Sequence, residues 1–159
     1  VVGTGHLGKI HAGLIRKIEN ETGQLQLVAV CDADQFRCQT LAQQLHVAAQ
    51  STVQGLCDLG IDAAIVATPT TTHLDVASQL LRASKHCFIE KPMAIDRTAC
   101  AELVRLAEIH DATLQVGHVE SFNPAWVRVR QELHDVRFTD ANRSGTYTGR
   151  STDIGIVMD

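Results

Sequence analysis

Gly3, Gly5 and Gly8 stand in the G-x-G-x-x-G spacing within Val1-Val2-Gly3-Thr4-Gly5-His6-Leu7-Gly8-Lys9-Ile10, a spacing suited to cradling a pyrophosphate. In such a turn the first glycine permits the tight bend and the second lets the main chain approach the phosphates. The third lets a helix pack on a strand, and the amides of that helix start point at the anion. Asp32 ends the apolar run Leu25-Gln26-Leu27-Val28-Ala29-Val30-Cys31, about twenty residues further on, where an acid accepts from the hydroxyls of an adenosine ribose. A carboxylate there favours NAD over NADP, because a 2′-phosphate would meet a negative charge. Arg37 keeps NADP open, although a lone arginine in that position is more often a solvated helix charge.

The same stretch nearly spells a P-loop, with four residues between Gly3 and Gly8-Lys9, but Ile10 has no hydroxyl to offer a magnesium ion. Three more polar clusters stand out: Thr68-Pro69-Thr70-Thr71-Thr72-His73, Glu90-Lys91-Pro92 and Gly117-His118. By itself Lys91 reads as a surface cation at a strand end. Thr68 to Thr70 reads as a helix entry capped by Thr72, and Glu90 as a strand-end acid paired to a nearby cation. His11, His46, His86, His110 and His134 have no motif context and receive no role.

The elements that must carry these clusters alternate. Leu7, Ile10, Leu14 and Ile18 share one face of the helix after the glycine turn. Cys38, Leu41, Ala42 and Leu45 mark a second helix, residues 46–49 a short strand, and residues 51–59 a short helix. Residues 61–67 form an apolar run of strand length, and Leu74, Ala77 and Leu81 mark the helix after it. Cys87-Phe88-Ile89 is a further strand; Asp96 caps a helix with Cys100, Leu103, Leu106 and Ala107 inward, and residues 113–116 close the series. This order predicts an α/β fold of the Rossmann type, a doubly wound parallel sheet covered on both faces. Ligands of such sheets bind at the carboxyl ends of the strands, and every polar cluster above follows a strand. The first strand is incomplete, since Val1-Val2 reads as the last part of one.

The expected dinucleotide-binding domain covers 1–118, and 119–159 begins a second α+β domain. In that second part Ser121 or Asn123 caps a helix with Pro124 in its first turn. Residues 137–142 alternate as a strand, residues 143–152 form a loop, and the apolar stretch Asp153 to Asp159 follows.

Composition narrows the classes. A formal net charge of −4 and 4% aromatic residues argue against a nucleic-acid surface, and no apolar run approaches the length of a membrane helix. Five scattered cysteines without a C-x-x-C pair point to reduced thiols in the cytoplasm, most of them small core residues. His118-Val119-Glu120 lacks the P-C-x-x-C partner of a zinc deaminase, and no metal site is expected.

Taken together, Gly3-Thr4-Gly5-His6-Leu7-Gly8, Asp32, Ala67-Thr68-Pro69 with His73, Glu90-Lys91-Pro92 and Gly155 to Asp159 resemble the Gfo/Idh/MocA family of nucleotide-dependent sugar oxidoreductases. The stretches Gly117 to Pro124 and Asp153 to Asp159 are similar to the branch that oxidises the 3-hydroxyl of UDP-N-acetylglucosamine. Ser121 departs from that branch, whose members more often carry arginine there. The resemblance implies that NAD is held by Gly3, Gly5, His6, Leu7 and Gly8, by Asp32, and by Thr68, Pro69, Thr70 and His73. Glu90, Lys91 and His118 complete that set. It also implies Lys91 and Asp159 as catalytic residues, with a histidine four residues beyond Asp159, a sugar or sugar-nucleotide substrate, and a homo-oligomer built on the second domain. Two alternatives stay open: an NADP(H)-dependent reductase of another small carbonyl or imine, and a dinucleotide-binding module without catalysis.

Overall fold

The computed structural model describes residues 1–138 and 140. Its first compact unit, Val1–Gly117, alternates helix and strand: α1 (His6–Thr22), β1 (Ala29–Cys31), α2 (Gln35–Leu45), β2 (Ala48–Gln50), α3 (Val53–Asp58), β3 (Ala63–Val66), α4 (Thr70–Arg82), β4 (His86–Ile89), α5 (Arg97–Ile109) and β5 (Leu114–Val116). Every strand pairing is parallel: β1 with β2, and β3 with β4 and then β5. Val2 joins the two groups by bridging Cys31 on one side and Val66 on the other, so the segment before the glycine turn lies at the centre of the sheet. The Val2 amide donates to the Ile65 carbonyl at 2.8 Å, and the Ala67 amide donates to the Val2 carbonyl at 2.8 Å. The α/β Rossmann-type fold read from the sequence is the fold observed.

Helix ends are set locally. Asp34, Thr52 and Asp96 each accept a main-chain amide of the first turn, at 3.1, 3.1 and 2.8 Å, and so cap α2, α3 and α5. The helices α1 and α4 have no side-chain cap; Gly5 and Pro69 stand at their N-cap positions. Thr72, expected as the α4 cap, lies inside the helix, and its hydroxyl donates back to the Pro69 carbonyl at 2.7 Å.

The core has two parts. Leu56, Leu80, Leu81, Ile89 and Leu103 are fully buried in the larger one, with Ala77 and Val66. Val30, Leu41, Ala42 and Ala12 fill the smaller one. The inward faces of α2, α4 and α5 are those that the periodicity indicates, but α1 is reversed. Leu7, Ile10, Leu14 and Ile18 are all exposed, at 45, 46, 50 and 38%, whereas Gly8 and Ala12 are buried. The reason is close approach: a side chain at Gly8 would collide with the Gly3 carbonyl, so the face against the sheet has to be built of small residues.

All five cysteines are free, and burial pushes Cys31 up to about 11 and Cys87 up to about 12, far from the thiolate form at neutral pH. Iodoacetamide at pH 8 is therefore expected to spare Cys31, Cys38 and Cys87 in the folded protein and to modify the half-buried Cys57 and Cys100 first. Peptide mass spectrometry over time checks this; early modification of Cys87 would contradict it.

The second unit, His118–Asp159, is described over its first part only. A single 3₁₀ turn, Val119–Phe122, leads to α6 (Pro124–Glu132), where Asn123 accepts the Ala125 amide at 3.0 Å and Pro124 opens the helix. Asn123 is thus the cap, and Ser121 lies within the 3₁₀ turn. Of the strand expected at 137–142, Arg137, Phe138 and Asp140 are described and are not in a strand; the remainder, the 143–152 loop and Asp159 lie outside the described residues. Among the described residues no helix is long and apolar enough to cross a membrane, and no group of three His, Cys, Asp or Glu residues could hold a metal ion.

Candidate functional site

The glycine turn has the shape of a phosphate cradle. Gly3 adopts φ +89°, in the left-handed region, and a side chain there would stand 2.6 Å from the Ala67 carbonyl oxygen. Gly5 differs: nothing lies within 4 Å of where its side chain would be. Bulk is thus excluded at Gly3 and Gly8 by protein, and at Gly5 the space is open, as an incoming pyrophosphate requires. His6 and Leu7 open α1 and are exposed, and no side chain caps that end, so the first-turn amides remain for an anion.

Asp32 sits at the end of β1 with its carboxylate fully engaged. One oxygen accepts the Thr4 amide at 2.6 Å and the Thr4 hydroxyl at 2.8 Å. The other accepts the Asp34 amide at 2.8 Å and Arg37 at 3.4 Å. Burial alone would raise this carboxyl, but the bonds from Thr4 and Asp34, aided by the Arg37 charge, outweigh it and hold Asp32 below the usual carboxylate range. Thr4 itself is completely buried. It occupies a variable position of the glycine motif, and nothing in the motif announces that it locks turn to acid. Arg37 also meets Asp34 at 3.0 Å, so both neighbours of this guanidinium are carboxylates.

The loop after β3 lies beside the cradle, as the Gly3–Ala67 approach requires. Thr68 shares a hydroxyl contact with Thr72 at 2.9 Å, Pro69 is exposed, and Thr70 is buried. His73 is 1% exposed; its Nδ1 lies 3.0 Å from the Pro92 carbonyl and its Nε2 2.9 Å from the Thr68 carbonyl. Both ring nitrogens thus face main-chain oxygens of the two loops that the sequence assigns to the cofactor, and neither is left for the cofactor itself.

Glu90 follows β4 and is 7% exposed. One of its carboxylate oxygens lies 2.6 Å from His11 Nε2, and the other accepts the Lys91 amide at 3.2 Å. His11 had no role in the sequence, yet it stands one turn after Gly8 on the buried side of α1, with its ring edge-on to Phe88 at 5.6 Å. The spacing Gly8, His11, Ala12, Ile15 is the stripe that could have exposed it, but the larger apolar stripe draws the eye. Gly117 closes the back of this group: a side chain there would stand 3.0 Å from the Phe88 ring and 3.4 Å from the Glu90 carboxyl carbon. Lys91 is half-buried. His118 opens the second unit and is exposed there.

The first unit therefore gathers the glycine turn, Asp32, the Thr68 loop and the Glu90-Lys91 turn at the carboxyl ends of one parallel sheet. That arrangement can hold a dinucleotide along the sheet edge, with Lys91 at one end of it.

Comparison with known proteins agrees with this geometry. Residues 1–118 match the model of the oxidoreductase family with an NAD-binding Rossmann fold designated GFO_IDH_MocA. The chain is 34% identical, over 160 residues and all of its length, to the UDP-N-acetylglucosamine 3-dehydrogenase of Acidithiobacillus ferrooxidans, of which it spans 49%. The solved structure of that enzyme superposes with a TM-score of 0.74 at 33% identity, covering 82% of this chain and 41% of the other. The chain is 31% identical to an inositol 2-dehydrogenase of Rhizobium meliloti over 86% of its own length and 40% of that protein's. GenD2 from gentamicin A biosynthesis, solved in complex with NAD, superposes with a TM-score of 0.75 at 26% identity, covering 84% of this chain and 38% of GenD2. The chain thus spans about half or less of the length of the relatives it matches.

Proposed function

Because the chain belongs to the Gfo/Idh/MocA oxidoreductase family and carries its NAD-binding Rossmann fold, we propose that it serves an NAD-dependent dehydrogenase acting on the 3-hydroxyl of UDP-N-acetylglucosamine. The observation that carries the nucleotide half of this reading is the Asp32 clamp. Of the four bonds to its carboxylate, the one from half-exposed Arg37 is the longest, at 3.4 Å, and it is the one that a ribose hydroxyl displaces. Arg37 faces two carboxylates, which leaves it a poor receiver for a 2′-phosphate and counts against the NADP(H) reductase. The sugar-nucleotide half rests on the similarity to the Acidithiobacillus enzyme, which runs beyond the nucleotide-binding unit to the last residue.

NAD supplies the hydride acceptor. The chain's own residues bind and orient it: the glycine turn and the first amides of α1 hold the pyrophosphate, and Asp32 holds the adenosine ribose. Thr68 to Thr70 border the nicotinamide end. Lys91 hydrogen-bonds the reacting hydroxyl and lowers the cost of taking its proton, with Asp159 as the second acid-base group and His118 a further pocket residue. We place the enzyme in the cytoplasm as a homo-oligomer, the first supported by five free thiols.

The test is a titration of the full-length protein with NAD and NADP, followed by absorbance at the reduced-nicotinamide band on adding UDP-N-acetylglucosamine. NAD is expected to bind at least about tenfold more tightly than NADP, a difference of roughly 1.4 kcal/mol, and the band is expected to grow. Tight NADP binding would sink the Asp32 reading. NAD binding with growth of the band on myo-inositol, and none on the nucleotide sugar, would move the substrate to the polyol class of the Rhizobium relative.

A further inference from the structure

The turn that carries Lys91 is held on both sides by histidines from other elements. Upstream, the buried Glu90 carboxylate is fixed through both oxygens, by His11 Nε2 at 2.6 Å and by the Lys91 amide at 3.2 Å. Downstream, the Pro92 carbonyl lies 3.0 Å from His73 Nδ1, while the other nitrogen of that ring ties to Thr68. The main chain at Glu90 is also anchored, its amide donating to the Val66 carbonyl at 2.9 Å.

A buried carboxylate is costly, and a sheet end in need only of filling would take an apolar residue there. What the carboxylate adds is direction. With one oxygen on His11 and the other on the Lys91 amide, the first peptide of the turn cannot rotate without breaking a charge-assisted bond. His11 in turn is held by its helix and by the Phe88 ring, and that helix is the one that starts at the glycine turn.

We propose that His11 is a positioning residue: through Glu90 it fixes the Lys91 turn against the helix that begins at the phosphate cradle, so that cofactor and amine are held by one rigid path. The inference rests on the dehydrogenase reading only in taking Lys91 as the group that meets the substrate oxygen. His73 pins the far end of the same turn and makes the position of Pro92 independent of His11.

The experiment uses the full-length protein with His11→Leu, which fills the space without a donor, and His11→Gln, whose amide nitrogen can stand where Nε2 stands. His11→Ala repeats the first arm if leucine does not fit. The amine of Lys91 is labelled with limiting acetic anhydride and quantified by peptide mass spectrometry against the exposed Lys17. With His11→Leu the relative labelling of Lys91 is expected to rise at least about threefold, a modest part of what loss of a bond to a charged group allows, and His11→Gln is expected to return it towards the parent value. Unchanged labelling of Lys91 in His11→Leu overturns the proposal, whatever the substrate proves to be.

The second readout is turnover of UDP-N-acetylglucosamine with NAD. His11→Leu is expected to lower kcat about ten- to hundredfold while NAD affinity stays within about threefold, as misplacement of a reacting group does. The double variant of His11→Leu with Lys91→Ala is expected to be no slower than Lys91→Ala alone, because His11 acts only through Lys91. Losses that multiply would show a general structural role and overturn it. Normal turnover by Lys91→Ala would instead remove Lys91 from the reaction, and the labelling result would still decide whether His11 positions it.

Discussion

Lys91→Met is expected to lower the rate of hydride transfer about 10²- to 10⁴-fold, the range that loss of a positioned acid-base group produces, while NAD affinity stays within about threefold. The argument is one of separation along the site. The groups proposed to hold the pyrophosphate and the adenosine ribose are the glycine turn, the first amides of α1 and the Asp32 clamp, which are fixed by main-chain geometry and by Thr4 and Asp34. The Lys91 amide, which fixes Glu90, is kept by any non-proline residue. Methionine preserves the length and apolar stem of lysine, so the variant subtracts the amine together with the bonds that the amine makes. Lys91→Arg sharpens the result, since arginine keeps the positive charge but does not give up a proton at working pH. If arginine restores most of the rate, the charge on the reacting oxygen matters; if it fails with methionine, proton transfer does. Single-turnover absorbance with NAD and UDP-N-acetylglucosamine reads all three proteins, and a methionine variant within about threefold of the parent would show that another group handles the proton.

Local features were legible in the sequence because each is specified by neighbours along the chain. The glycine spacing fixes a turn, Asp96 sits just ahead of the helix that it caps, and Asp32 ends an apolar run. Features that depend on contact across the fold were not. His11 and Glu90 are 79 residues apart, and no spacing rule connects them. Only the family resemblance makes His73 a pocket histidine; in the fold its ring lies inward between Thr68 and Pro92, the contacts of a satisfied polar residue. The orientation of α1 shows the same limit. An amphipathic period defines a stripe but not what that stripe faces, and here the demand for close contact at Gly8 outweighs the burial of four large side chains. Thr72 gives a smaller case: a threonine near a helix start is a plausible cap until the helix is found to begin two residues earlier, at Thr70.

Asp32→Asn is expected to weaken both the fold and the preference for NAD, and the two effects share a cause. The carboxylate accepts two donors on each oxygen, and both oxygens receive a main-chain amide, from Thr4 and from Asp34. Asparagine has one acceptor oxygen, so its NH₂ must be set against one of these amides in either orientation. The Thr4 hydroxyl can reverse, but the Thr4 amide cannot, and Thr4 is fully buried. An opposed buried donor of this kind costs about 1–3 kcal/mol. The sign of the pH dependence follows from the direction of the shift. The folded Asp32 carboxyl titrates below its ordinary 3.8, so the stability it contributes is fully present above that pH and is lost as pH falls through the lowered value. The thermal unfolding midpoint of Asp32→Asn is therefore expected below the parent's at pH 7, with the gap closing in acid as the parent carboxyl takes up its proton. At the binding site the substitution removes the charge that a 2′-phosphate would meet, so the affinity ratio for NAD over NADP is expected to fall by about tenfold. A gap in unfolding midpoint that stays constant from pH 7 to pH 3 would show that the Thr4 clamp on Asp32 does not carry this stability, and an unchanged cofactor ratio would show that the acid does not face the ribose.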